Sequence, residues 1–205
     1  RKVPSVPGAI GDILGFGQAV QQLPMEQARD IRVTGKGRQF VGVEGGAFIL
    51  VSHGITSAGL FYVVGLVYGR THTRDLSRLG GLARSYPDLA AGAMFITLAG
   101  IGVPLTCGFV GEFLAILGTY KVSVWATAIL CSGVVLSAVY LLSAYQRVFF
   151  GSAHGEEHPV DPMTWGERVP LLVLGILALG LGVWPEALLT PIRASLALLG
   201  GTVAP

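Results

Sequence analysis

The sequence predicts an all-α, polytopic membrane protein with about four transmembrane helices, the second of them discontinuous. Three observations predict it. Of 205 residues, 52% are hydrophobic and only 13% charged, where a soluble domain carries about 25% charged residues. The mean hydropathy is +0.65, and the apolar residues fall in long runs. One of those runs is too long for a single straight crossing and carries a proline and three glycines near its middle. The thirty glycines agree with this class, because Gly and Pro are commoner in transmembrane helices than in soluble ones.

Residues 1–45 differ from the rest of the chain. They hold six Lys/Arg, four Asp/Glu and eight Gly without a sustained period. The expectation is a polar, loosely structured segment with one short helix near Glu26–Arg32, too glycine-rich for a signal peptide. The first apolar run, Ala47–Gly69, has 23 residues and would rise roughly 35 Å as a helix, enough to span with some tilt. The second, Leu89–Gly118, would be about 45 Å long against a hydrocarbon core of about 30 Å. Gly100, Gly102, Pro104 and Gly108 mark where it breaks, since proline removes a backbone bond and clashes with the preceding turn. Two half-helices are expected, near 89–100 and 108–118, joined by an unwound stretch that protein or internal water must cover. The third run is Val122–Phe150. The fourth starts near Val169 and stops at Trp184–Pro185, with Ala187–Leu199 as a weaker apolar tail.

The connections set a topology. Arg70, Arg74, Arg78 and Arg84 face only Asp75 in the loop after the first run, and Arg147 and Arg168 flank the hydrophilic loop 151–168. The positive-inside rule puts both loops in the cytoplasm. Four spans then place both chain ends outside, which conflicts with the six basic residues of the first segment.

Glu112 is the residue that calls for explanation. It sits among Phe109, Val110, Phe113, Leu114 and Ile116, and a charged side chain at the bilayer centre costs about 2.5–3.5 kcal/mol on insertion scales. Such a carboxyl is paired, protonated or beside water. The functional reading is a protonatable relay site, because discontinuous helices are where membrane transporters build ion sites. The structural alternative is a carboxyl bonded to the broken backbone. His53, in VSHGITS, has Thr56 and Ser57 three and four residues on, at helix-face spacing. It is either a proton shuttle, since imidazole titrates near physiological pH, or a structural hydrogen-bonding group.

The remaining candidates are weaker. His72 lies in a charged loop and reads as solvated. His154 and His158 flank Glu156–Glu157 in a loop with nothing to order a metal. Lys121 is expected to snorkel, and Tyr140 and Tyr145 to anchor or pack. Cys107 and Cys131 sit in apolar runs as small hydrophobes, without disulfide or metal spacing. No Walker or dinucleotide glycine pattern, iron–sulfur cysteine cluster or haem-type histidine pair is present, so no redox or nucleotide cofactor is expected in this chain. A net charge of +2 gives no case for nucleic acid.

These residues carry a resemblance. GVEGGAFILVSHGITSAGLFYVVGLVYGRTHTRDLSRLGGLA followed by GIGVPLTCGFVGEFLAILG resembles the C-terminal part of the antiporter-like membrane subunits of respiratory complex I, and among them the M type, over roughly residues 42–190. The most specific pieces are VSHG…LF, the YGRTHTR loop with GGL, and GFVGEF. The wider family includes the L and N subunits and the Mrp-type sodium/proton antiporters. The resemblance implies that the second run is the family's broken helix. It also implies that Glu112, at a slot where the L and N types carry lysine, is the ionisable residue at the outlet of a proton path, and that His53 helps to hydrate or relay toward it. NADH, quinone, FMN and iron–sulfur chemistry would belong to partner subunits, and the location would be the bacterial inner membrane. Alternatives are a subunit of an Mrp antiporter or a membrane hydrogenase complex, or an inactive truncated scaffold.

The implied organisation is a bundle over 42–199 after a segment, 1–41, that departs from the family. Family members carry further helices ahead of these, holding the central glutamate–lysine pair and the relay lysine. A divergent tail, a frame-shifted reading and a truncated product all stay open for 1–41.

Overall fold

The computed structural model describes residues 35–76, 78–151 and 162–201. The helix expected near Glu26–Arg32, and His154, Glu156, Glu157 and His158, lie outside the described residues. Those described are all helical apart from short connections. Helix α1 runs Gly35–Thr71, α2 Leu82–Ser85, α3 Pro87–Ile101, α4 Cys107–Tyr120, α5 Val124–Phe150, α6 Trp165–Val183 and α7 Glu186–Gly201.

Among the described residues, three helices are long and apolar enough to cross a membrane: Val41–Thr71 within α1, α5 and α6. The chain is therefore a multi-pass helical bundle. The long second run is occupied by two shorter apolar helices, α3 and α4. Helix α1 begins well ahead of the apolar run expected at Ala47. Composition alone gave no helix there, because Gly42, Gly45 and Gly46 count against one. Packing overrides the propensity: a Cβ on Gly45 would lie 2.5 Å from Ala115 N and 2.9 Å from Gly111 O, and one on Gly111 would lie 2.7 Å from the Ile49 side chain. Gly42 meets Gly118 in the same seam. Small residues let α1 and α4 approach backbone to backbone, the usual device for joining helices where the solvent is lipid. Helix α6 starts at Trp165, ahead of the expected Val169. Thr164 and Glu167 close a capping box, which satisfies two of the amide groups left over at a helix start.

Ion pairs fix which helix ends share a side. Arg70 at the end of α1 pairs with Glu167 at the start of α6, at 2.9 Å. Arg168 reaches Asp88 in the first turn of α3. At the far end of α1, Glu44 accepts from Arg193 of α7 at 3.1 Å, and Arg193 also holds Glu186. The two ends of the bundle thus each carry a clasp, and α1 spans between them.

The apolar core falls into two clusters. One holds Leu66, Leu82, Tyr86, Leu89, Ile96 and Phe149 among others, toward the Arg70 end. The other centres on Phe48, Ala99, Cys107, Ala178 and Leu189. Four polar side chains are also buried among the described residues, Ser52, Thr56, Thr97 and Thr106.

The glycine seam gives a direct expectation. Gly45→Ala is expected to lower thermal stability in detergent by about 1–3 kcal/mol, because the backbone of α4 must yield. Gly65→Ala, where an added Cβ meets nothing within 4 Å, is expected to raise it by about 0.5–1 kcal/mol through helix propensity.

Candidate functional site

Helical geometry stops at Ile101 and resumes at Cys107. Gly102 takes the left-handed conformation, φ 81°, its N–H donating to Ala99 O, and the Val103 N–H reaches back to Leu98 O at 3.2 Å. That is a Schellman-type helix stop, and glycine is the residue that adopts it without steric cost. Pro104 comes next and brings no N–H. Leu105 is also at positive φ, 77°, a conformation costly for a side-chain-bearing residue and characteristic of functional segments. Thr106 turns the chain into α4, its hydroxyl donating to Val103 O at 2.7 Å. Gly108 packs directly on the stop: a Cβ there would lie 2.5 Å from Ala99 O and 3.1 Å from Gly102 Cα. The expected break residues Gly102, Pro104 and Gly108 therefore stand together around one turn. Gly100 lies just before it, with Thr56 and Leu60 of α1 and Leu141 of α5 at its surface.

Glu112 is half-buried in the second turn of α4. Side chains on a helix lean toward its N-terminus, so this one leans back at the break. The position a Cβ would take on Gly102 is 2.6 Å from Glu112 Oε2 and 3.4 Å from Oε1. The carboxyl thus occupies the space that the missing side chain of Gly102 leaves open. Beyond the last turn of α3, carbonyls have no partner within the helix, and the carboxyl is placed against that end.

Around the break lie hydroxyls. Phe48 and Ile49 of α1 meet Gly111, and Thr56 meets Gly100, so Ser52 sits between them at the height of the break. Ser52, Thr56 and Thr106 each donate to a carbonyl of their own segment, and Thr97, more than a turn before the break, does the same. Each oxygen keeps lone pairs with which to accept a proton donor. The layer is a set of buried acceptors rather than a nucleophile with its base.

His53 does not join this layer. It is exposed in this chain, while Ser52 and Thr56 are buried. Its ring pairs with Ser57 Oγ, 3.2 Å from Nε2. The spacing placed Thr56 and Ser57 on one face with His53; the structure divides them, with 52 and 56 inward and 53 and 57 outward. Among the described residues no hydrogen bond links His53 to Glu112. His72 is exposed in the loop, edge-on to Tyr68. Tyr145 packs as expected, its hydroxyl donating to Ala90 O at 3.0 Å, whereas Tyr140 is exposed. Lys121 closes the end of α4 and is half-buried. Cys107 is buried and Cys131 exposed. Among the described residues no group of three or more His, Cys, Asp or Glu is placed to hold a metal.

The sequence reading missed the charged clasps. Arg70 binds Glu167 through two parallel bonds, 3.0 and 2.9 Å, and lies 5.4 Å from the Tyr86 ring centre. Partners 97 residues apart leave no local signal. The one hint was Arg70 itself, closing an apolar run where an interfacial charge needs a counter-charge.

Gly102 allows a test of the site's geometry. Gly102→Ala is expected to cost about 1–3 kcal/mol for the left-handed backbone alone, and more because the new methyl meets the Glu112 carboxyl. Pairing it with Glu112→Ala in a double-mutant cycle should recover the second part and not the first, read by thermal unfolding.

The chain is similar to known proteins in sequence and fold. The family described as NADH:quinone oxidoreductase/Mrp antiporter, transmembrane, matches residues 35–138. NADH-quinone oxidoreductase subunit M of Rhodobacter capsulatus is 42% identical over 159 residues, covering 77% of this chain and 31% of that protein. Among solved structures, a chain of respiratory complex I from Thermus thermophilus with bound NADH superposes with a TM-score of 0.68 at 36% identity, over 80% of this chain and 37% of that one. A chain of the Mrp complex from Dietzia sp. DQ12-45-1b shares the fold, with a TM-score of 0.63 at 22% identity over 73% of this chain and 36% of that one. This chain spans about a third of the length of the curated relatives it matches.

Proposed function

Because the chain belongs to the NADH:quinone oxidoreductase/Mrp antiporter family of membrane proteins, we propose that it forms the C-terminal bundle, residues 42–199, of an M-type proton-translocating subunit of a bacterial NADH–quinone oxidoreductase. In this reading α3 and α4 are the halves of one discontinuous span, the second of four, with α1, α5 and α6 as the others. The bundle sits in the inner membrane beside L- and N-type subunits. Oxidation of NADH and reduction of quinone take place in other subunits.

The observation that carries the proposal is the Glu112 carboxyl, lodged in the gap at Gly102 where α3 ends. A carboxyl is worth holding in an apolar bundle when it changes protonation. The broken backbone and the hydroxyls of Ser52, Thr56 and Thr106 offer it acceptors. His53, paired with Ser57 on the outer side of α1, is the second relay residue of this reading.

The test uses inverted membrane vesicles containing the full-length subunit in its complex. NADH addition should acidify the lumen at a rate indifferent to sodium. Acidification that requires sodium supports the antiporter alternative, which shares the fold. Quinone reduction with no proton movement attributable to this subunit supports an inactive scaffold.

A further inference from the structure

We propose that the groove between α1, α3 and α5 is a binding site for one anionic phospholipid, with an acyl chain in the groove and the phosphate at Arg74. The groove encloses about 280 Å³ and is lined by Leu60, Val63 and Val67 of α1, Ala93 of α3, and Ala144 and Val148 of α5. It runs along α1 from Leu60 to Val67, about 10 Å at the helical rise per residue. Its deeper polar atoms are already used: Thr97 donates to Ala93 O at 2.7 Å and Tyr145 to Ala90 O at 3.0 Å. Water gains nothing in such a space, and an empty one of this size forfeits contacts along its whole lining.

The apolar lining takes hydrocarbon. The chemistry at the mouth decides the rest. Thr73 and Arg74 line that end, and the Arg74 guanidinium is steadied 4.7 Å from the Tyr68 ring centre. Thr73 Oγ1 accepts from the Asp75 N–H at 3.2 Å, and a hydroxyl that accepts in this way can also donate to a phosphate oxygen. The connection from Arg70 to Arg84 carries four arginines and one aspartate. Basic sites of this kind at the rim of a helix bundle attract anionic headgroups.

The proposal requires only that α1 and α5 lie in a bilayer. Its readout is bound lipid rather than proton movement, so its failure and that of the Glu112 reading are separable. The full chain is reconstituted in nanodiscs of mixed phosphatidylglycerol and phosphatidylcholine, re-extracted in mild detergent, and its retained lipid is quantified by mass spectrometry. Wild type should retain phosphatidylglycerol with a preference of about fivefold, and Arg74→Gln should remove that preference. Ala144→Phe, which fills the groove, should lower retention of both lipids. Arg74 is exposed, so the first variant decides even where the second fails to fold. No preference in wild type, or one that survives Arg74→Gln, overturns the proposal. So does an Ala144→Phe protein that folds and keeps its lipid.

Discussion

Glu112→Gln is expected to silence proton movement through this subunit while leaving the bundle intact. Glutamine has nearly the same shape, so it fills the same gap beside Gly102 and keeps a carbonyl and a donor for the backbone there. What it loses is the capacity to bind and release a proton. Removal of a group that transfers protons in a positioned site costs on the order of a hundredfold in rate, and the proton count per NADH should fall by whatever share this subunit carries. Thermal stability should change by less than about 1 kcal/mol, since no buried partner is left unpaired. Glu112→Asp retains the acid but draws it back from Gly102, and should keep part of the activity. A Glu112→Gln complex that pumps at the wild-type ratio removes the relay role.

The second large effect is at the opposite end of α1. Arg70→Ala removes two parallel bonds to Glu167, at 3.0 and 2.9 Å, and a cation–π contact with Tyr86. The side chains are 8% and 28% exposed, so this pair is largely withdrawn from solvent. Breaking such a pair by deleting one partner costs about 3–5 kcal/mol, mostly from the charge left behind. The two deletions should differ. Without Arg70, Glu167 still accepts from the Thr164 N–H at 2.8 Å and from its hydroxyl. Without Glu167, the Arg70 guanidinium retains Leu66 O and the Tyr86 face, and α6 also loses its capping box. Glu167→Ala should therefore be the more damaging change. Arg70→Met with Glu167→Gln should recover most of the loss, because the charges go together and glutamine still serves the cap. Chemical unfolding of the three variants in detergent reads the order; equal losses for the two single variants would contradict it.

Locality decides which features were legible in the sequence. The stop at Gly102 was readable because an over-long apolar run with glycine and proline at its middle has few other solutions. Glu112 stood out as a candidate because a single carboxylate is conspicuous in such a run. The early start of α1 was not, since Gly42 and Gly45 argue against a helix until α4 is known to pack on them. Nor was the division of the His53 stripe. Spacing puts 53, 56 and 57 near one another on a helix, and only the neighbouring helices decide that 52 and 56 turn inward while 53 and 57 turn outward. The clasps at Arg70 and Glu44 depend on residues brought together from distant parts of the chain, which no local pattern announces.

Central to the account is that one carboxyl, held against the end of α3, gains and loses a proton as the complex works. Infrared difference spectroscopy during NADH-driven turnover, with Glu112→Gln as the assignment control, tests this most directly. The account predicts a carboxyl band that alternates between protonated and ionised forms and is missing from Glu112→Gln. A Glu112 that stays in one protonation state throughout turnover would contradict it.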